Sequence, residues 1–130
     1  MFKHLARYKD PAYFLFRILV GFGFFLHGSQ KLFGWFGGLG GSRAELFSLM
    51  GLAGVIETIG GLLLIFGLFT SIVALITAIE MVVAYFMVHI PQGFVPLTNY
   101  GEPAWLYFAA FLVLATHGAG KWSLDARRKK

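Results

Sequence analysis

Arg17, His27, Lys31, Glu57, Glu80 and His89 stand inside stretches that are otherwise apolar. An ionised side chain deep in a hydrocarbon layer is costly unless paired, so each of these residues needs a partner or a task. Two kinds of chemistry are open to the set. A histidine beside a shielded carboxyl can pass a proton, and a lysine or arginine can hold a polar or anionic head group. A purely structural reading stands beside them, in which Arg17, Glu57, Glu80 and His27 form a polar network that fixes helix register. His117, next to Gly118, reads as a helix C-terminal residue interacting with the helix dipole.

The elements that must position these groups follow from composition. The chain is 58% hydrophobic and only 13% charged, more apolar than a soluble domain of 130 residues requires for its core. Its 17 glycines fit membrane helices, where small residues let backbones approach. Runs long enough to cross a hydrocarbon layer of about 30 Å fall near Ala12 to Phe33, Ser48 to Leu68, Ser71 to Ile90 and Pro103 to Ala119. The expectation is an all-α protein, a bundle of four transmembrane helices in a single integral membrane domain over residues 1–130. "GLFTS" between the second and third spans leaves room only for a tight hairpin. The first segment lacks a small-residue cleavage site after it and is expected to remain as a helix.

Lys3, Arg7 and Lys9 precede the first span, and Lys121, Arg127, Arg128, Lys129 and Lys130 follow the last, whereas Lys31 and Arg43 lie toward the opposite end. That asymmetry predicts both termini in the cytoplasm. The net charge of +5 is thereby a topology signal rather than a sign of nucleic-acid binding. With Cys 0 there is no disulfide, thiolate metal site or iron–sulfur ligation, and no metal site is expected. Haem held by His27 and His89 is disfavoured, because no spacing signature supports it. "GWFGGLGG" lacks the strand-to-helix setting of a phosphate loop, and no Ser, His and Asp arrangement points to a hydrolase.

Helices rising about 1.5 Å per residue place Arg17 about 7 Å, Glu80 about 14 Å, Glu57 about 16 Å, His27 about 22 Å and His89 about 27 Å from the cytoplasmic edge. Side chains lean toward the N-terminus of their own helix, so depth pairs His27 with Glu57 and Arg17 with Glu80. By helical phase, Arg17, Gly21, Phe24, Gly28 and Lys31 share one line, with His27 roughly 80° from it. Glu57 and Glu80 lie on small-residue faces expected to point inward, and His89 belongs to the outer mouth or a loop. The aromatics Trp35, Phe36, Trp105, Tyr107 and Trp122 read as an interfacial belt.

"RILVGFGFFLHGSQKLFGWFGGLGG", "IETIGGLLLIFGLFT", "AIEMVVAYFMVHIPQGFVPLTNYGEPAWLYFAAF" and "GAGKWSLDA", in that order, closely resemble the DoxX family of small four-helix membrane proteins. The likeness runs from about Tyr13 to Ala126, with "THGAGKW" a local departure. It implies a multi-pass protein of the inner (cytoplasmic) membrane, linked to terminal quinol oxidase or thiosulfate:quinone oxidoreductase systems. Arg17, His27, Gly28, Lys31, Glu57, Gly60, Gly61, Glu80 and His89 are the positions that match the family pattern.

The reading that follows is a membrane subunit of a quinone-linked oxidoreductase, with the quinone in the outer half of the bundle near His27, Lys31 and His89. There His27 would be the proton donor, Glu57 the proton carrier and Lys31 the electrostatic stabiliser, with Arg17 and Glu80 holding the inner half. Two other classes stay open. One is a non-catalytic anchor or assembly subunit for a soluble oxidoreductase or sulfurtransferase, held through "ARRKK". The other is a small transporter or proton-conducting protein with Arg17, Glu57 and Glu80 along its path. The lipid bilayer is the expected partner in every case, and the glycine-lined faces are compatible with a homo-oligomer.

Overall fold

The computed structural model describes residues 2–129, so Lys130 of the basic tail lies outside the described residues. Among the described residues there are five α-helices: α1 (Lys9–Phe33), α2 (Leu49–Phe66), α3 (Thr70–Ala84), α4 (Glu102–His117) and a short α5 (Leu124–Arg128). A 3-10 turn, Phe2–Tyr8, leads into α1, and α3 passes into a π-helical turn, Tyr85–His89, and a 3-10 turn, Ile90–Gln92. Among the described residues there is no strand, only an isolated bridge between Leu39 and Ser42 in the loop after α1.

The helical stretches Phe2–Phe33, Leu49–Phe66 and Thr70–Gln92 are long and apolar enough to cross a membrane. α4, with 16 residues, is shorter and covers about 24 Å. The exterior is what lipid demands: Leu15, Leu19, Ile59, Ile72, Ile79 and Leu106 are each about half exposed or more, on faces with no polar partner to offer. Inside, Phe24, Leu64, Ala78, Phe111 and Leu114 form a core with almost no exposure.

The helices pack as two close pairs, α1 on α2 and α3 on α4, with α2 and α3 joined by the short turn after Phe66. Glycine makes the first pair close. A Cβ placed on Gly61 would lie 2.6 Å from the backbone nitrogen of Phe25 and 2.7 Å from the carbonyl oxygen of Gly21, so both backbones leave no space for a side chain. This contact supplies dispersion energy where lipid tails offer no hydrophobic gain.

The α2–α3 turn is shaped by a second glycine. Gly67 ends α2 at φ 67°, where its N–H caps the carbonyls of Leu63 and Leu64, and any Cβ would lie 2.9 Å from the guanidinium carbon of Arg17. The C-terminal segment closes over this turn. Asp125 accepts from the backbone N–H groups of Phe69 (2.8 Å) and Thr70 (2.9 Å), capping the start of α3, which has no cap of its own. Tyr13 donates to the Gly118 carbonyl at 2.5 Å, and Lys121 pairs with Asp10 at 2.8 Å. The N-terminal and C-terminal segments therefore meet at one end of the bundle.

Candidate functional site

At that end sits Arg17, only 1% exposed and without a carboxylate partner among the described residues. Its Nε donates to the Leu64 carbonyl at 3.0 Å, and its terminal nitrogens reach Ile65 (3.4 Å), Trp122 (2.9 Å) and Ala119. Those oxygens belong to the C-terminal turn of α2 and to the strap between α4 and α5. The guanidinium thus meets the negative end of a helix dipole and a set of acceptors matched to its donor fork. The expected pairing of Arg17 with Glu80 does not form. α1 packs on α2 and not on α3, and the donors of Arg17 are already engaged.

Farther along the bundle, the Lys31 ammonium lies 2.7 Å from Oε2 of Glu57, with the two side chains 13% and 6% exposed. Depth alone favoured His27 as the partner of Glu57, and helical phase decides otherwise. Lys31 shares the buried line with Arg17, Gly21, Phe24 and Gly28, whereas His27 turns about 80° away and is exposed. The lysine stem leans back along α1 and reaches down to the carboxylate, so Lys31 is not free to lie at the outer head groups.

Glu80 approaches from α3. Its carboxyl lies beside that of Glu57. Both Glu80 oxygens are buried, and neither has a donor among the described residues. Thr77, one turn earlier, spends its hydroxyl on the carbonyls of Val73 and Ala74 at 3.0 Å. Lys31, Glu57 and Glu80 thereby form one cluster from three helices. The structure brings these together while leaving Arg17 at the other end and His27 and His89 outside.

His27 lines a groove of about 580 Å³ between α1 and α4, with Leu19, Val20, Glu102, Pro103, Leu106 and Tyr107. Its ring meets Tyr107 edge-on at 5.6 Å, and Tyr107 stacks in turn on Phe111 at 5.7 Å. Tyr107 is therefore not part of an interfacial belt. It follows Ala104 by three residues and precedes Phe111 and Leu114 by four and seven, which is the buried face of α4. That spacing was in the sequence and would have found it. His89 does not line the groove. Its Nδ1 donates to the Asn99 carbonyl at 3.1 Å in the loop before α4. Asn99, fully buried, organises that loop by donating to the Gly93 carbonyl (2.8 Å) and Tyr85 (3.2 Å) and accepting from the Gly101 N–H (2.8 Å). Nothing in the local pattern of "PLTNYGEP" singled it out. His117 places Nδ1 3.1 Å from the Val113 carbonyl in the last turn of α4. No cluster of His, Asp and Glu able to hold a metal occurs among the described residues.

An apolar exterior, charges confined to an internal cluster and to the ends, and helices of membrane-crossing length define a small multi-pass helical membrane protein. The family model DoxX matches residues 12–90, and the chain belongs to the DoxX family. An uncharacterised protein of Haemophilus influenzae is 40% identical over 126 residues, covering 94% of this chain and 94% of the relative. A second uncharacterised protein of Haemophilus influenzae is 39% identical over 74 residues, covering 57% of this chain and 49% of the relative. No solved structure matches the chain.

Proposed function

We propose that this protein is the membrane subunit of a quinone-linked oxidoreductase system of the inner membrane, and that a quinone head group enters the groove between α1 and α4. In this reading α4 is a fourth span and both termini lie in the cytoplasm, as the basic residues around Lys9 and Lys121 favour. The observation that carries the reading is the imidazole of His27. It is exposed on a groove walled largely by Leu19, Val20, Pro103 and Leu106, with Glu102 the other ionisable side chain on the wall, and has no hydrogen-bond partner among the described residues. A lipophilic ligand with carbonyl oxygens is the chemistry such a groove fits.

A bound quinone supplies two-electron chemistry that consumes protons on reduction. The residues of the chain do the rest. His27 offers a ring N–H to a carbonyl oxygen and is the group on the groove placed to donate a proton to it. Tyr107 fixes the ring edge-on. Leu19, Val20 and Leu106 exclude water and hold an isoprenoid or similar apolar tail. Lys31 is one helical turn from His27, but its ammonium is committed to Glu57.

The test is the quinone content of protein purified from its own membranes in mild detergent, read by mass spectrometry of an organic extract. Wild type should retain quinone and His27→Ala should retain at least about tenfold less, in line with a lost hydrogen bond and contact of about 1.4 kcal/mol. Equal retention in both refutes the groove. A quinone-free extract with a soluble oxidoreductase or sulfurtransferase co-purifying would replace this reading with that of a membrane anchor.

A further inference from the structure

The geometry points to Glu57 and Glu80 as a site for one proton, shared between the two carboxyl groups and held against Lys31. This inference stands apart from the quinone reading, since it concerns a different set of atoms and holds whether or not a ligand fills the groove.

The argument is one of donors and charges. A carboxylate is acceptor-only, and a buried acceptor without a donor is rare because it forfeits the water it left. Glu57 has its donor, the ammonium of Lys31 at 2.7 Å. Glu80 has none, although both its oxygens are out of contact with solvent. Beside it lies the Glu57 carboxyl, which as a carboxylate can only accept. Two facing acceptors repel, whereas one proton between them converts the contact into an O–H donated from one carboxyl to an oxygen of the other.

Charge leads to the same count. The titratable groups around Glu80 are Glu57 on α2 and Lys31 on α1, with Tyr107 of α4 in the neighbourhood of Glu57 and His27 one helical turn from Lys31. One ammonium and two carboxylates would leave a net negative charge among apolar helices, a state that burial penalises heavily. With one proton bound, the three groups sum to zero. The proton is thus the piece that completes both the hydrogen bonding and the charge of the cluster, and the ligand of the site is the proton itself.

Infrared spectroscopy of the protein in detergent or lipid reads a protonated carboxyl directly through its C=O stretch, which is separate from the carboxylate bands. Of the six acidic residues, Asp10, Glu45, Glu102 and Asp125 lie near the helix ends or in loops, leaving Glu57 and Glu80 as the internal pair. Wild type at neutral pH should show a band worth one carboxyl. That band should disappear in Glu80→Gln, where the amide can donate to a Glu57 carboxylate paired with Lys31. It should disappear equally in Glu57→Gln, where Glu80 becomes the single counter-charge to Lys31. Absence of the band from wild type at neutral pH overturns the proposal without recourse to any variant. So does a band that survives in both variants.

Discussion

Replacing Lys31 by Met removes the only cation of the internal cluster and keeps most of the side-chain volume. The fold then has two ways to persist. It can bury an uncompensated carboxylate, which costs about 3–5 kcal/mol when one partner of a buried pair is lost. Alternatively it can take up a second proton. At pH 7 that means protonating a group whose ordinary value is about 4.3, at about 1.4 kcal/mol per pH unit, or roughly 3.7 kcal/mol. The variant should therefore lose about 3–4 kcal/mol at pH 7. Native Lys31→Met binds one proton more than native wild type, so stability relative to wild type rises as pH falls, by about 1.4 kcal/mol per unit, and the deficit shrinks to about 1 kcal/mol near pH 5. The double variant Lys31→Met, Glu57→Gln replaces the pair by neutral groups of similar size and should lie within about 1 kcal/mol of wild type. Equilibrium unfolding by a rising fraction of sodium dodecyl sulfate in mixed micelles, followed through Trp35, Trp105 and Trp122, measures all of these at pH 5 and pH 7. A Lys31→Met protein as stable as wild type at pH 7, or with an unchanged pH slope, would refute the reasoning.

Gly61→Ala should cost about 1–3 kcal/mol or more in the same assay, because the new methyl would meet backbone atoms of Phe25 and Gly21 that cannot turn aside. Gly60→Ala should cost less, since its methyl would meet the Thr77 Cγ2 at 3.2 Å, a side-chain atom able to yield. Asp125→Ala should cost about 1–2 kcal/mol by uncapping α3. Partial burial raises the Asp125 carboxyl value, but the N–H groups of Thr70 and Phe69 outweigh it and hold the group below its ordinary value. Its stabilisation is therefore fully present above the unfolded value of about 4 and fades as pH falls through the lower folded value, so the gap between wild type and Asp125→Ala should close below about pH 4.

The helices were legible because membrane spans announce themselves by length and hydropathy, while the caps that end α2, Ser48 and Gly67, emerge only from the structure. The small-residue face of α1 was legible too, since Gly21, Phe24 and Gly28 repeat at helical spacing. Partner choice was harder. Depth named His27 for Glu57 and Arg17 for Glu80, while the same helical wheel already put Lys31 and not His27 on the buried line. Two constraints conflicted, and phase won because a side chain on the wrong face cannot reach whatever its depth. The fate of Arg17 was hidden for a different reason. Its partners are backbone carbonyls of Leu64, Ala119 and Trp122, and a carbonyl leaves no trace in residue type. Asn99 escaped for the same reason, as its partners are mostly backbone groups of one irregular loop.

The contrast between the two buried polar centres decides what each is for. Arg17 has acceptors for its donors and a helix end to balance its charge; it closes the α2–α3 turn and the C-terminal strap into one latch. A centre satisfied in this way has nothing left to offer a ligand, which is the mark of a structural role. Glu80 is the opposite case, a buried carboxyl with no donor, in a cluster that joins α1 and α2 to α3 across the seam between the two helix pairs. A buried carboxyl with no donor calls for a group that completes it, and here that group is the shared proton. The polar chemistry of this protein is therefore concentrated at the Lys31, Glu57 and Glu80 end of the bundle, and the Arg17 end is what holds that chemistry in place.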